Sequence, residues 1–266
     1  MRANLSKWWH TIKIAWSNQT AYRLNFFLQV IGPALVFFFI KYNLWSAVFG
    51  GDRAQVIQGY NFSEMINYHV WALIVGLLGQ GHTAMNLSED IRMGRISTYL
   101  IYPFDFWEFH SASFIAFQLL QTIICLFSIA ALYFLGIVEF HGYLPFFQGF
   151  FYTIYVSVFW FSLQFLTGIL AFWLEETWIL RVLLMLITAF FSGAIIPLDF
   201  FPPLLVKFLY FTPFPYLTYY PIKVFLGSFT DLLTPYFTLS IWTVVIIWLN
   251  SLLWKKGMKL YTAAGM

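Results

Sequence analysis

The residues able to do chemistry in this chain are few, and they gather in one place. In the stretch LSEDIRMGRISTYLIYP, Leu87 to Pro103, four charged side chains fall within seven positions: Glu89, Asp90, Arg92 and Arg95. Elsewhere the chemistry is sparse. His10, His69, His82, His110 and His141 show no i, i+3 or i, i+4 pairing, so no helix-borne metal site of the His-x-x-x-His kind is present. Cys125 is the only cysteine, which excludes an internal disulfide and a Cys-rich metal site. A P-loop needs Gly-Lys-Ser/Thr to cradle phosphates and hold magnesium. No Gly-Lys pair occurs in the sequence, so ATP hydrolysis by that route needs another chain.

The elements that must position these residues follow from composition. The chain has 266 residues, 61% hydrophobic, 23% aromatic and 9% charged, with mean hydropathy +0.76. A soluble domain usually carries about 25% charged residues. So little polar surface cannot cover a water-facing globule, and the solvent must largely be lipid. Runs such as IICLFSIAALYFLGIV, Ile123 to Val138, are apolar on every face, which fits helices and not the alternation of a spanning barrel. The expected class is all-α integral membrane.

Six spans are expected: Leu24 to Val48, Glu64 to Met85, Ser111 to Val138, Phe146 to Leu174, Trp178 to Ile196 and Tyr236 to Trp254. Pro33 is expected to kink the first, and Lys41 to snorkel outward from it. Residues 1–23 form an amphipathic helix with Trp8, Trp9, Ile12, Ala15 and Trp16 on one face, suited to the membrane interface. No removable signal peptide is read in the N-terminal residues. Residues 197–235 are apolar but interrupted by Pro197, Pro202, Pro203, Pro213, Pro215 and Pro221, so no unbroken spanning helix fits there. No repeat or domain boundary appears, and 1–266 reads as one transmembrane domain. Lysines and arginines orient it. With the N-terminus inside, Arg2, Lys7, Lys13, Arg23, Arg92, Arg95, Arg181, Lys255, Lys256 and Lys259 fall on the cytoplasmic side against Lys41, Arg53, Lys207 and Lys223 on the other; this bias requires an even number of spans and so places both termini in the cytoplasm.

The charged stretch, residues 87–108, is then cytoplasmic. Asn86 or Ser88 can cap a helix with Glu89 and Asp90 in its first turn, and Pro103 can stop it. Ile91, Ile96, Tyr99 and Leu100 supply an apolar side. Two readings fit: a helix that docks a partner, or a solvated loop whose charges only fix topology. Glu64, Glu89, Glu139, Glu175, Glu176 and Asp231 fall at span ends or in loops, which argues against an ion-coupled secondary transporter. The unpaired histidines argue against an intramembrane metalloenzyme. His69 and His82 either line a pathway or pack helices, with packing favoured. Phe159, Trp160, Phe161, Phe165, Phe172 and Trp173 either line a route for an amphipathic substrate or face lipid, with lipid favoured.

The stretch LSEDIRMGRISTYLIYPFDF resembles the first cytoplasmic loop of ABC-2 type permeases, the membrane subunits of one class of ABC exporter. Ser88, Ile91, Gly94, Ile96, Leu100 and Pro103 stand at the positions of the subfamily pattern Ser-x-x-Ile-x-x-Gly-x-Ile/Leu, followed by Leu and Pro. SGAIIPLDFFP resembles the family's Gly-x-x-x-Pro-Leu segment, and TPFPYLTYYPIKVFLG and LWKKGMKLYTAAGM its half-helices and basic tail. The tail departs from the common Gly-Gly ending, with Met266 after Gly265. The resemblance implies a coupling helix seated on a separate ATPase, with Ser88, Glu89, Asp90, Ile91, Arg92, Gly94 and Arg95 at that interface. It implies an outer gate of re-entrant half-helices involving Gly193, Pro197, Pro213 and Pro215. It implies a second permease, identical or homologous, and membrane lipids as partners, with no nucleic acid. ATP and magnesium would sit on the ATPase, with no cofactor in this chain. The setting implied is the bacterial cytoplasmic (inner) membrane, and the cargo a hydrophobic or amphipathic molecule.

Overall fold

A computed structural model describes residues 2–21, 23–50, 52, 54–82, 85–101, 105–229 and 231–261. Pro103 and the last five residues of the tail lie outside the described residues. Among the described residues there is no strand, only one isolated bridge, Ile57 to Tyr60. The helices are α1 (Arg2–Ala21), α2 (Arg23–Val48), α3 (Phe62–Gln80), α4 (Met85–Arg92), α5 (Ile96–Ile101) and α6 (Phe106–Phe134). They continue with α7 (Tyr143–Ile169), α8 (Trp178–Phe191), α9 (Pro203–Leu209), α10 (Tyr219–Phe225) and α11 (Leu233–Leu260).

Among the described residues, three helices are long and apolar enough to cross a membrane: α6, α7 with its 3-10 extension to Phe172, and α11, at 29, 30 and 28 residues. Of their most apolar windows, 67% of α7's is buried but only 22% of those of α6 and α11. α7 therefore sits at the centre, with α3, α4, α10 and α11 packed around it. Small residues permit the approach. A Cβ on Gly79 would meet Val156 and Thr153 at 3.2 and 3.3 Å, so α3 lies close on α7 there. Trp71 of α3 stacks on Phe225 of α10 at 4.2 Å between ring centroids. Side-chain amides hold helices together where water is scarce. Gln118 and Gln121 of α6 donate to the carbonyls of Leu78 and Leu77 at 3.0 and 3.1 Å. Asn250 of α11 donates to the Ser162 carbonyl at 2.8 Å.

Several boundaries move. The third expected span begins earlier, at Phe106, because Asp105 and Glu108 form a reciprocal capping box. α11 takes Pro235 into its first turn, where a missing N–H leaves no carbonyl unpaired, and it runs through Lys255, Lys256 and Lys259 to Leu260. α2 is helical through Pro33. α1 packs along α6, and its half-buried side carries Trp8, Ile12, Ala15 and Trp16. Trp9 was expected on that face but is exposed, with the Lys13 ammonium 5.7 Å from its ring centroid. The interruption at residues 197–235 is present as two seven-residue helices, α9 and α10, with one 3-10 turn at Leu198–Phe200 before α9 and another at Phe214–Tyr216 between them.

Candidate functional site

Two polar clusters lie at opposite ends of α3. The first contains the charged stretch, which folds as two short helices and not one. Gly94 causes the break. Its φ is +69°, and the Arg95 and Gly94 N–H groups donate to the carbonyls of Asp90 and Ile91 at 2.9 and 3.3 Å. This pair of bonds is a Schellman stop, which needs a left-handed residue and selects glycine. The expected caps are also corrected: α4 starts at Met85, so Asn86 and Ser88 lie inside it.

The apolar side of α4 and α5 is seated as its pattern requires. Leu87, Ile91 and Ile96 are buried against Phe106, Phe161, Phe165 and Ile169, and Leu87 lies directly on Gly168 of α7. Burying each such side chain stabilises by about 1.5–3 kcal/mol, which makes α4 and α5 part of the core and not a free loop.

Of the seven residues placed at a partner surface by resemblance, the structure divides the set. Glu89, Arg92 and Arg95 are about half exposed, and Gly94 sits beside them. Ser88, Asp90 and Ile91 are buried and face the protein interior. Asp90 accepts a hydrogen bond from Tyr99 at 2.9 Å, lies 3.6 Å from the Arg95 Nε, and has His110 Nε2 at 3.9 Å. Asp90 therefore braces α4 against α5 from within. Burial holds its carboxyl above the usual range, while the Tyr99 hydrogen bond and then the Arg95 charge pull it back.

A pH prediction follows from that direction. The folded chain binds the Asp90 proton more tightly than the unfolded chain does. The contribution is therefore fully present below about pH 3.9 and lost as pH rises through the raised value. Asp90→Asn, which mimics the protonated form and still accepts from Tyr99, should unfold at a higher temperature than the wild type at neutral pH. The difference should vanish in acid. Asp90→Ala strands the Tyr99 hydroxyl and should cost about 1–3 kcal/mol. An Asn variant less stable than wild type at neutral pH would reverse this reading.

Two tethers join this cluster to the start of α8. Arg181 donates to Ser88 Oγ and, at 3.0 Å, to Thr177 Oγ1. Arg92 pairs with Glu176 at 3.1 Å. Tyr261, the residue that caps α11, donates to the Gly94 carbonyl at 2.5 Å. Beside these contacts opens a cleft of about 510 Å³, lined by Arg92, Gly94, Phe172, Glu175, Glu176 and Tyr261 among others.

The second cluster centres on Gly193 and Asp199. Gly193 has φ +83° and its carbonyl accepts from Tyr68 of α3 at 2.7 Å. Asp199 accepts from Tyr60 at 2.5 Å and Tyr219 at 2.8 Å and pairs with Lys223 at 3.3 Å. Burial, and then the hydrogen bond to Asp199, push the Tyr60 hydroxyl far above its ordinary range, so it stays a donor. Pro197 and Pro213 open the two 3-10 turns, and Pro215 is buried in the second. Lys41 does not snorkel. It is buried and donates to the Ile195 carbonyl.

The histidines and aromatics of the interior make packing contacts. His69 accepts from Trp45 Nε1 at 2.7 Å, and His82 lies edge-on to Phe114, Phe117 and Phe161. Phe159, Trp160, Phe161 and Phe165 are buried within the chain and not on its outer, lipid-facing surface, whereas Trp173 of that set is exposed. Asp199 and Tyr261 were not singled out by sequence, and Arg181 entered only as a charge that orients the chain. Asp199 had a usable signal, a lone acid in an apolar segment. Tyr261 had none, since its acceptor lies 167 residues away.

A search of curated proteins finds no match to this chain. A family description, ABC-2 family transporter protein, matches residues 24–265 and so takes in both clusters and every helix after α1. With its apolar spans and its matched length, the chain belongs to the ABC-2 transporter family, as a membrane-embedded permease component.

Proposed function

We propose that this chain is the transmembrane subunit of an ATP-driven exporter for a hydrophobic or amphipathic molecule, with ATP and magnesium handled by separate ATPase subunits. ABC-2 permeases generally work with such subunits. The observation that carries the reading is the divided surface of α4. Its apolar side is fixed in the core, while Glu89, Arg92 and Arg95 are presented outward beside a cleft. A solvated topology loop needs no such anchorage. The Glu89–Arg95 pair within the chain is exposed on both sides and worth about 0–1 kcal/mol, so these charges can be exchanged for partners on another protein.

In this reading six helices span the bacterial inner membrane: α2, α3, α6, α7, α8 and α11. Helices α9 and α10 re-enter from outside, and α1 lies at the cytoplasmic interface. A second permease, identical or homologous, and two ATPase subunits complete the unit, with lipid around the exposed apolar faces.

Reversing Glu89 to Lys together with Arg92 to Glu should weaken capture of the ATPase in a pull-down, because like charges at a desolvated interface cost several kcal/mol. The thermal stability of the permease alone should change little, as both side chains are half exposed. Unchanged capture and unchanged ATP turnover would remove α4 from the interface.

Orientation has its own test in a Cys125→Ala background. Cysteines at Ser6 and Lys256 should be shielded in intact cells from an impermeant thiol reagent, and one at Asp52 should label. All three positions are exposed. Lys256 is chosen because its neighbour Gly257 is pressed against the Phe172 ring, where a Cβ would stand 2.3 Å from Cδ2. External labelling at Ser6 or Lys256 would overturn the topology.

A further inference from the structure

We infer that α8 is the strut that carries motion between the charged cluster and the Gly193 cluster, and that Arg181 is its positioning residue; this rests on the exporter reading above.

The helix is fastened at its two ends and hardly along its length. At its start, Arg181 bridges Thr177 to Ser88 of α4, and Glu176, two residues before the helix, pairs with Arg92. Both α4 tethers therefore reach one turn of one helix. At its end, three carbonyls are taken by three other elements. Ser192 accepts from the Tyr219 N–H of α10 at 2.9 Å, Gly193 from Tyr68 of α3 at 2.7 Å, and Ile195 from Lys41 of α2. The last carbonyls of a helix and of the turn beyond it lack partners within the helix, and the negative end of its dipole favours a cation such as Lys41. The donors thus complete α8 and fix its end to the segment that carries Asp199 and α10.

Between these ends the contrast is clear. Ile179, Val182, Leu183, Met185, Leu186 and Ile187 are all exposed, and Thr188 is the one fully buried side chain of the helix among the described residues. An interdigitated helix would resist sliding past its neighbours. Within this chain, a helix with its side chains outside the packed core is held mainly at its joints. Fourteen residues make a rod about 21 Å long at 1.5 Å per residue, and its backbone hydrogen bonds keep it stiff along the axis. A shift of α4 therefore reaches the Gly193 turn through α8 without repacking α7, whose window is buried on most sides. The physical warrant is an element fixed to both sites, and coupling must be measured across it.

The test uses the complex of this permease with its ATPase in nanodiscs, with Cys125→Ala and Ser192→Cys. Ser192 is fully buried at the far end of α8, and its carbonyl, not its side chain, makes the bond to Tyr219. A water-soluble maleimide therefore reports opening of that end. The expected result is faster labelling with ATP and magnesium than without, and loss of that difference in Arg181→Met while pull-down of the ATPase persists. Lys41→Met should remove the same response from the other end, and the double variant should be no worse than either single one. A nucleotide response that survives Arg181→Met unchanged overturns the strut. So does labelling that ignores nucleotide in a complex that turns over ATP. If Arg181→Met misfolds, Glu176→Gln is read instead, since that side chain is half exposed; a blunted response supports the strut and an unchanged one overturns it. Failure of the parent protein to capture an ATPase at all defeats the exporter reading, which is a separate result.

Discussion

Gly168→Leu should dislodge α4 and abolish ATPase capture. Gly168 lies near the end of α7, where a Cβ would stand 2.3 Å from Leu87 Cδ2, 2.8 Å from its Cγ and 3.1 Å from its Cβ. Three atoms of one side chain are too close, so a rotamer change at Leu87 cannot clear the space. Leu87 is also fully buried, which leaves it nowhere to go but outward with its helix. Overpacking a close-packed core costs about 1–3 kcal/mol, and a branched side chain pressed between two helices lies at the upper end. The expected readout is a lowered unfolding temperature in detergent together with lost pull-down. Compensation separates this joint from general misfolding. Leu87→Ala alone should cost about 2–5 kcal/mol through its cavity. Combined with Gly168→Ala, it should be milder than the sum of the two, since one change fills what the other empties. Additive losses would mean that α4 does not rest on Gly168 in the working protein.

Gly193→Leu should stop export while leaving ATPase capture intact. Two penalties coincide there. The residue holds φ +83°, and a side chain in that region costs of the order of 1–3 kcal/mol. A Cβ would also sit 3.0 Å from the Tyr68 hydroxyl and 3.1 Å from Tyr219 Cβ. Both neighbours belong to the joint between α8, α3 and α10, and Tyr68 would be pushed from the Gly193 carbonyl it serves. The charged cluster at the opposite end of α3 makes none of these contacts. Transport into vesicles, read against pull-down, measures the difference. Equal loss of both would mark Gly193 as a general folding position and not part of the outer gate. Gly193→Ala carries the same backbone strain with less bulk and should be intermediate.

Much of this molecule was readable in its sequence. Lipid offers no hydrogen-bond partners, so only helices or a closed barrel satisfy the backbone there, and with 9% charged residues and long runs apolar on every face the chain lacks the alternation a barrel needs. The interruption at residues 197–235 was equally legible, because proline removes a donor wherever it stands. So was the apolar side of the charged stretch: Ile91 and Ile96 are buried where their pattern put them. These are local properties, set by residue type and by neighbours within one or two turns.

What tertiary structure alone decided is which way a given polar group faces and what it meets. Glu89 and Asp90 are adjacent acids in one helical turn, indistinguishable by type, yet one is exposed and the other buried against Tyr99. The difference depends on where α4 lies on α7, which the close approach at Gly168 sets. Gly94 was visible as a glycine, but its left-handed conformation became necessary only once α5 had to turn back to seat Ile96 in the core. Arg181 and Ser88 are 93 residues apart, and Lys41 and Ile195 are 154 apart. No periodicity spans such distances. Hydrophobic pattern specifies that a face is covered, because burial is non-directional and scales with area. A hydrogen bond is directional and needs its partner within about 3 Å, so its identity follows only when every helix has its place.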